Sequence, residues 1–299
     1  MMKFLPTATL ALLTFMAPAF AITVNNLDAV PDAIHSSEGK LIYAEQMTGT
    51  APENGFGTLP AGLEEKEWIQ WVAPEESVDR LIITGAKPWG KDGTYIGIAC
   101  FADTAEDAQK LKKYGSASCP EDDNSRRVNK LFLGVFRWQN QRLQPIARTE
   151  EALDKLSLWS KRVAREADDE TLQPLQYYSK LDLAPYRIAP DTMAFGVRGG
   201  YSNAYSGGGA FYEVLELYII KGDKIINIFA ALVYQYADIA GEWNDDGTRK
   251  HDISESKSIL KILPTTSDGF HDLQLVNVID KHKTIFRWST ADRQYSPQP

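Results

Sequence analysis

The segment FYEVLELYIIKGDKIINIFAALV occupies residues 211–233 and decides the fold class of this chain. Two runs of leucine, β-branched and aromatic side chains are separated by the short turn sequence Lys221-Gly222-Asp223, which predicts a β-hairpin. In the run at residues 211–220 both sets of alternate residues are largely apolar, a pattern typical of a strand that is covered on both faces. The segment therefore predicts a central pair of antiparallel strands.

Similar short runs lie on both sides of this hairpin. Strands are predicted at residues 67–72, 80–84, 95–101, 131–138, 142–147, 181–188, 192–198, 258–263, 273–278 and 283–288. Residues 150–167 have helical spacing of their apolar side chains, as do residues 104–114. The expected fold is mainly β with two or three helices, a β-rich α+β fold. Its antiparallel sheets would form two halves, residues 22–148 and 172–299, joined by a helix within residues 149–171.

The composition is that of a globular protein with an acidic surface. The chain has 299 residues, of which 43% are hydrophobic and 24% charged, and 40 acidic side chains outnumber 32 basic ones to give a net charge of −8. Such a charge disfavours binding to nucleic acid and to anionic lipid. After the first residues no apolar run approaches the length of a membrane span, so we expect no membrane insertion.

The first 21 residues predict a signal peptide. Lys3 provides a short positive region, residues 10–15 are apolar, and Ala19-Phe20-Ala21 matches a cleavage site with small residues. No cysteine follows that site, which argues against a lipid anchor. We therefore expect a periplasmic protein, exported through a cleavable signal peptide.

The two cysteines suit an oxidising compartment. Cys100 and Cys119 are the only cysteines, and no nearby residues complete a zinc site with them. A lone pair in an exported protein is usually a disulfide, and here it would enclose the helix predicted at residues 104–114. Catalytic thiol chemistry is the alternative, but the pair lacks Cys-x-x-Cys spacing and a nearby histidine.

No motif in the chain names a reaction. Phosphate-binding, zinc-protease and nucleophile-elbow motifs are absent, so we expect neither a cofactor nor a metal and assign no catalytic residue. Asn244-Asp245-Asp246-Gly247 clusters oxygen ligands, but Lys250 and His251 interrupt the pattern of a calcium loop. An ordinary Asp-Gly turn explains that segment better.

Residues 199–212 form the most informative segment. They combine glycine, serine, asparagine, alanine and tyrosine without a charge, a composition that recognition loops share. The candidate contact residues are Tyr201, Ser202, Asn203, Tyr205, Ser206, Gly207, Gly208, Gly209 and Tyr212. Tyr201 and Tyr205 are expected to be partly exposed and to act as the main contacts. The alternative is a hairpin tip whose tyrosines fold back onto the sheet.

An exported β-rich chain with such a loop resembles bacterial periplasmic lysozyme inhibitors and the immunity proteins that neutralise antibacterial effectors. The resemblance covers residues 172–299 and rests on the stretch at residues 205–212. It implies that Ser206, Gly207 and Tyr212 match the inhibitor loop, which enters the cleft of a cell-wall-cleaving enzyme. The spacing to Tyr212 departs from the short motif of that family.

These observations predict a binding protein whose partner is another protein. A peptidoglycan hydrolase or a toxin delivered by a competing cell is the expected partner, blocked by insertion of residues 199–212. One alternative is a hydrolase of peptidoglycan or another envelope glycan, with carboxylates that the sequence does not reveal. Another is a non-catalytic wall-binding module that stacks Trp68, Trp71, Trp89 and Tyr201 on sugar rings.

Overall fold

A computed structural model gives the structure of the chain. It describes residues 29–34, 54–90, 92–113, 117–122, 128–166, 168–169, 172–205 and 207–298. The predicted signal peptide at residues 1–21 lies outside these ranges. The chain divides into a unit at residues 1–50, where a short helix α1 (Val30–Ala33) is described, and a unit at residues 51–299. No helix in the described ranges is both long and apolar enough to cross a membrane.

The central hairpin predicted from the sequence is present. It consists of β7 (Gly208–Lys221) and β8 (Lys224–Trp243), which are longer than predicted. Gly222 and Asp223 form its turn, and Gly222 has a φ of +66°, a conformation that glycine adopts without steric strain. Residues 214–219 of β7 are almost completely buried, as expected for a strand covered on both faces.

Within the described residues, the sheet around this hairpin contains twelve strands. The ten others are β1 (Leu81–Pro88), β2 (Thr94–Phe101), β3 (Lys130–Gln139), β4 (Arg142–Arg148), β5 (Tyr177–Ala189), β6 (Thr192–Tyr205), β9 (Arg249–Ser267), β10 (Phe270–Asn277), β11 (Lys283–Ser289) and β12 (Gln294–Pro297). Sequential strands pair antiparallel within each half. A single parallel contact between Arg148 and Lys224 joins β4 to β8. The predicted β-rich α+β class is confirmed.

One predicted strand is a helix. Residues 67–72 belong to α2 (Glu65–Val72), whose Trp68, Ile69 and Val72 are buried. Tryptophan, isoleucine and valine favour strands in isolation, but their spacing here places them on one face of a helix. The Trp68 indole N–H also donates a hydrogen bond to the Ile98 carbonyl, 3.1 Å away, which fixes α2 on the sheet.

The helix predicted at residues 104–114 is present as α3 (Ala105–Lys113), with the Thr104 hydroxyl accepting a hydrogen bond from the Asp107 N–H at 3.1 Å. The connecting helix is different from the prediction. It consists of two short helices, α4 (Leu153–Leu156) and α5 (Leu158–Arg165). Ser157 interrupts them because its backbone is extended, and its hydroxyl caps α5 by accepting from the Ser160 N–H at 3.1 Å.

The two halves share a hydrophobic core. Buried side chains of β2 and β3, such as Ile98 and Leu133, belong to the same cluster as Val197, Val214 and Tyr218 of the second half. A second cluster lies on the opposite face of the central hairpin, against β10–β12, and a third lies beneath α2. The central hairpin is therefore held on both faces.

The predicted disulfide between Cys100 and Cys119 is formed. Cys119 pairs with Tyr178 of β5, since each backbone N–H donates to the other residue's carbonyl at 2.8 and 2.9 Å. The disulfide thus ties β2 of the first half to a segment that is hydrogen-bonded to the second half.

Candidate binding surface

The glycine-rich segment at residues 199–212 is the end of a β-hairpin. Strands β6 and β7 pair without interruption from Phe195–Tyr218 to Tyr205–Gly208, so most of the expected loop is strand. Gly207 lies in the turn between the two strands, and Ser206 lies outside the described residues. Gly207 has a φ of +94°, which favours glycine at that position.

Tyr201 is not the exposed contact residue that the composition of residues 199–212 suggests. It is only 1% exposed, and its ring stacks on that of Tyr212 with centroids 4.5 Å apart. The ring of Trp159 from α5 also stacks with the Tyr201 ring, with centroids 6.1 Å apart. Burial raises the pKa of the Tyr201 hydroxyl. The expectation of exposure is wrong here because β6 places this side chain on its core-facing side.

The other candidate residues are divided between the sheet and its end. The Ser202 backbone N–H donates to the side-chain carbonyl oxygen of Gln176 at 2.7 Å, and Ser202 is half-buried. Asn203 and Gly207 are exposed, whereas Gly208, Gly209 and Tyr212 are half-buried. Tyr205 ends β6, and its side chain lies outside the described part of the structure.

A second hairpin extends beside the first. Strands β8 and β9 continue to a turn at residues 244–248, where the Asn244 N–H donates to the Thr248 carbonyl at 2.8 Å. Hydrogen bonds from Thr248 hold the pKa of Asp246 below its usual value. Among the described residues no three His, Cys, Asp or Glu side chains are grouped as a metal site. The structure therefore contains the Asp-Gly turn that the sequence favours.

Arg249 connects the two hairpins. Its Nε–H donates to the Gly241 carbonyl at 2.6 Å, and its guanidinium carbon lies 5.2 Å from the centre of the Trp243 ring. A Cβ atom added at Gly207 would lie only 2.6 Å from a guanidinium nitrogen of Arg249. The ends of the β6–β7 and β8–β9 hairpins therefore pack closely. We call residues 202–212 and 235–256 together the twin-hairpin end.

The twin-hairpin end exposes large apolar side chains. Phe211, Ile239, Trp243 and Ile253 are 55%, 55%, 67% and 64% exposed, and they are four of the seven exposed large hydrophobic residues in the described ranges. Tyr236 lies directly opposite Phe211 in the sheet, and Ile253 lies opposite Asp238, two residues further along β8. Because paired residues share a face, Phe211, Tyr236 and Ile253 lie on the same face, an apolar patch that also includes the carboxylates of Asp238 and Glu255.

Both faces of strand β9 are exposed to solvent near its start. Six consecutive residues of β9, at positions 250–255, are exposed, so neither face of the strand is covered there. The described strands pair with this part of β9 only on its β8 side, because pairing with β10 begins at Ser258. Lys250, Asp252 and Glu255 place charges along the open edge, a pattern that discourages pairing of identical edges.

The β8–β9 hairpin end is strongly acidic. Residues 235–256 contain six carboxylates, two cations and one histidine, a net charge of −4 with neutral histidine. The acidic residues are Asp238, Glu242, Asp245, Asp246, Asp252 and Glu255. His251 contacts Asp238 at 2.6 Å between Nδ1 and Oδ1. An apolar patch bordered by carboxylates is complementary to a surface with apolar and cationic groups.

The candidate residues predicted from the sequence do not include Phe211, Trp243 and Ile253. Phe211 lies inside the segment at residues 199–212, but the apolar pattern of residues 211–220 predicts a place in the strand core. Strand alternation provides the missing signal, because Phe211 and Tyr212 are consecutive and must point to opposite faces. The exposure of Trp243 and Ile253 depends on where the sheet loses its covering layers, which local sequence does not specify.

The proposed sugar-stacking aromatics are core residues. Trp68 is completely buried, and Trp71 packs half-buried beside it with ring centroids 5.4 Å apart. Trp89 is half-buried and lies 5.6 Å from the Phe195 ring, and Tyr201 lies in the stack described above. Of these four, Trp68 and Tyr201 are buried, and Trp71 and Trp89 are half-buried.

The carboxyl group with a raised pKa is inaccessible. Glu216 is completely buried, and burial raises its pKa. Its carboxylate accepts hydrogen bonds from the Ser157 hydroxyl and from the Tyr218 hydroxyl at 2.8 Å. A substrate cannot reach Glu216 in this arrangement, so Glu216 is part of the folded core.

A surface cleft contains two further carboxylates. Asp182 and Glu213 both form ion pairs with Arg198, at 2.7 Å for Asp182. Neither is therefore poised as a free acid or base. The hydrolase alternative remains a prediction for which these residues give no support.

Comparison of the chain with protein-family models, with curated proteins and with solved structures finds no match. The resemblance to lysozyme inhibitors and immunity proteins therefore remains an interpretation of the sequence.

Proposed function

We propose that this chain is an exported binding protein that recognises another protein through its twin-hairpin end. The observation that carries the proposal is the exposure of Phe211, Trp243 and Ile253 at the twin-hairpin end. Exposed apolar patches bordered by polar residues mark interaction sites in soluble proteins. Tryptophan and arginine are also frequent among the residues that dominate binding energy, and Trp243 and Arg249 lie together here.

Contacts within the chain support the surface. The stack of Trp159, Tyr201 and Tyr212 supports the first hairpin from below, and the Gln176–Ser202 hydrogen bond fixes its edge. Arg249 holds the second hairpin against Gly207. A rigid contact surface loses less conformational entropy on binding, which favours affinity. The tyrosine pair of the predicted loop thus supports the surface, while Phe211 makes the contact.

The partner's chemistry follows from the charge of the surface. Six carboxylates on residues 235–256 favour a cationic partner and accelerate its association. Enzymes that work on the anionic cell wall benefit from a cationic surface. We therefore propose a peptidoglycan hydrolase or a delivered toxin as the target, in agreement with the predicted signal peptide and with the disulfide, which suits an oxidising compartment.

The inhibitory step would be steric. The first hairpin narrows to Gly207, Gly208 and Gly209, which carry no side chains, and Phe211 lies two residues behind them. A tip of this kind can enter a substrate cleft while the apolar patch contacts its rim. No covalent step is required.

The direct test asks whether the protein protects purified peptidoglycan sacculi from a panel of cationic lysozymes. The digestion of the sacculi is measured as the fall in turbidity. The wild-type protein is expected to slow digestion by at least one enzyme, and Phe211→Ala/Trp243→Ala to lose this effect. Val78→Ala/Ile279→Ala is the matched control, since Val78 and Ile279 are exposed apolar residues elsewhere. Digestion of the sacculi by the protein alone would support the hydrolase alternative. Cosedimentation of the protein with the sacculi would support the wall-binding module. Absence of protection throughout the panel would contradict a lysozyme target.

A further inference from the structure

A cleft lies at the end of the sheet opposite the twin-hairpin end. Strands β6, β7 and β8 each run from one end to the other, so the turns at residues 190–191, 222–223, 268–269 and 290–293 are far from Gly207 and Thr248 along the strands. The cleft has a volume of about 590 Å³. This is within the range of pockets that bind small molecules.

The interior of the cleft is apolar because it continues the second hydrophobic core. Ile219 and Ile228 belong to that core, and Ile226 packs against it. Phe270 and Trp288 form an aromatic wall, stacked with ring centroids 4.2 Å apart, and both are half-buried. The second core is therefore open to solvent at this end, where an apolar ligand would extend it.

The rim of the cleft is cationic. Lys221 ends β7 and Arg293 lies in the β11–β12 turn, and both side chains are exposed. Within the described ranges neither cation has a carboxylate partner at ion-pair distance. Asp268, the carboxylate at the rim, accepts a hydrogen bond from the Thr290 hydroxyl at 2.9 Å. The residues that line the cleft thus include two cations and one carboxylate, in a chain whose net charge is −8.

We propose that this cleft binds a single-chain amphiphile with an anionic head group. The chain would lie on the isoleucines and against the Phe270–Trp288 wall, and the head group would contact Lys221 and Arg293. A free fatty acid and an anionic lipid share this chemistry. The proposal is independent of the protein-binding function, because it uses residues at the other end of the sheet.

Isothermal titration of the purified protein with dodecanoate, below its micelle concentration, tests the proposal. Saturable binding to one site is expected. Dodecyltrimethylammonium, which has the same chain and the opposite charge, should bind about tenfold more weakly or less. Octanoate should also bind at least about tenfold more weakly, since each buried methylene contributes to affinity. Titration with an anionic lysophospholipid shows whether the cleft binds an anionic lipid more tightly than the free fatty acid.

Two double variants locate the head group. Lys221→Gln/Arg293→Gln should weaken dodecanoate binding about tenfold, and because both side chains are exposed the fold should be retained. Lys66→Gln/Lys112→Gln removes the same charge from exposed positions elsewhere and should leave affinity unchanged. Absence of saturable dodecanoate binding, equal binding of the cationic amphiphile, or unchanged affinity of the rim variant would each overturn the proposal.

Discussion

Phe211 and Tyr212 are consecutive residues of β7 that point to opposite faces of the sheet. Phe211 is 55% exposed, whereas Tyr212 stacks on the buried Tyr201 with ring centroids 4.5 Å apart. One face of the hairpin therefore supports the fold and the other meets solvent. This relationship divides the aromatic residues of the segment into structural and contact roles.

Tyr201 should matter for stability. Tyr201→Ala removes a fully buried ring that stacks with both Tyr212 and Trp159, and we expect a loss of about 3–5 kcal/mol in the free energy of unfolding, measured by chemical denaturation. Tyr201→Phe keeps the stack and should lose about 1 kcal/mol. Equal stability of the alanine variant and the wild type would contradict the packing described here.

Removal of the disulfide should also destabilise the fold. The bridge closes a loop with a sequence separation of 19, so Cys100→Ala/Cys119→Ala should lower the free energy of unfolding by about 3 kcal/mol. Reductant should destabilise the wild type by a similar amount and leave the double variant unaffected. A wild-type protein that is insensitive to reductant after unfolding and refolding would argue against this role.

Glu216 should make stability depend on pH. Because burial raises its folded pKa, the folded state favours the protonated carboxyl group. Its contribution is fully present below the unfolded pKa of about 4.3 and is lost as the pH rises through the folded pKa. Glu216→Gln should remove this component, so the stability difference between variant and wild type should change across that window. A difference that is constant with pH would contradict the prediction.

The acidic hairpin should accelerate association with the partner. Asp252→Asn/Glu255→Gln removes two exposed charges from β9, and we expect a several-fold lower association rate constant with little change in the dissociation rate. The rate for the wild type should fall with added salt, because surface charges are screened. Surface plasmon resonance at two ionic strengths measures both effects. Salt-independent association would show that the charge does not steer the partner.

Most of the fold could be predicted because short runs of β-branched and aromatic residues are separated by clear turn sequences. The hairpin at residues 211–233, the disulfide pair and the helix at residues 104–114 all follow from local pattern. Residues 67–72 could not be assigned by composition, since Trp68 and Ile69 suit both strand and helix. The break in the helix at Ser157 could not be predicted either, because the helical spacing of apolar residues continues across it.

The proposed binding surface could be predicted only in part. Glycine and serine content marks the end of the β6–β7 hairpin correctly, but the direction of each side chain depends on register. Tyr201 faces Tyr212 across the pair and therefore enters the core, whereas Phe211 faces Ser202. The contribution of β8 and β9 depends on long-range pairing, such as that of Asp238 with Ile253, which no local motif specifies.

Quantitative capture of partners from cell-envelope extracts tests the central claim most directly. The wild type, Phe211→Ala/Trp243→Ala and the control Val78→Ala/Ile279→Ala are used as parallel baits, after thermal melting has shown that all three are folded. We expect a protein partner that the wild type and the control retain equally. The Phe211→Ala/Trp243→Ala variant should not retain this partner, because its affinity for the partner should be lower by about 30-fold or more. This change corresponds to the loss of one dominant contact of about 2 kcal/mol. Equal retention by all three baits would contradict the assignment of the twin-hairpin end as the binding surface.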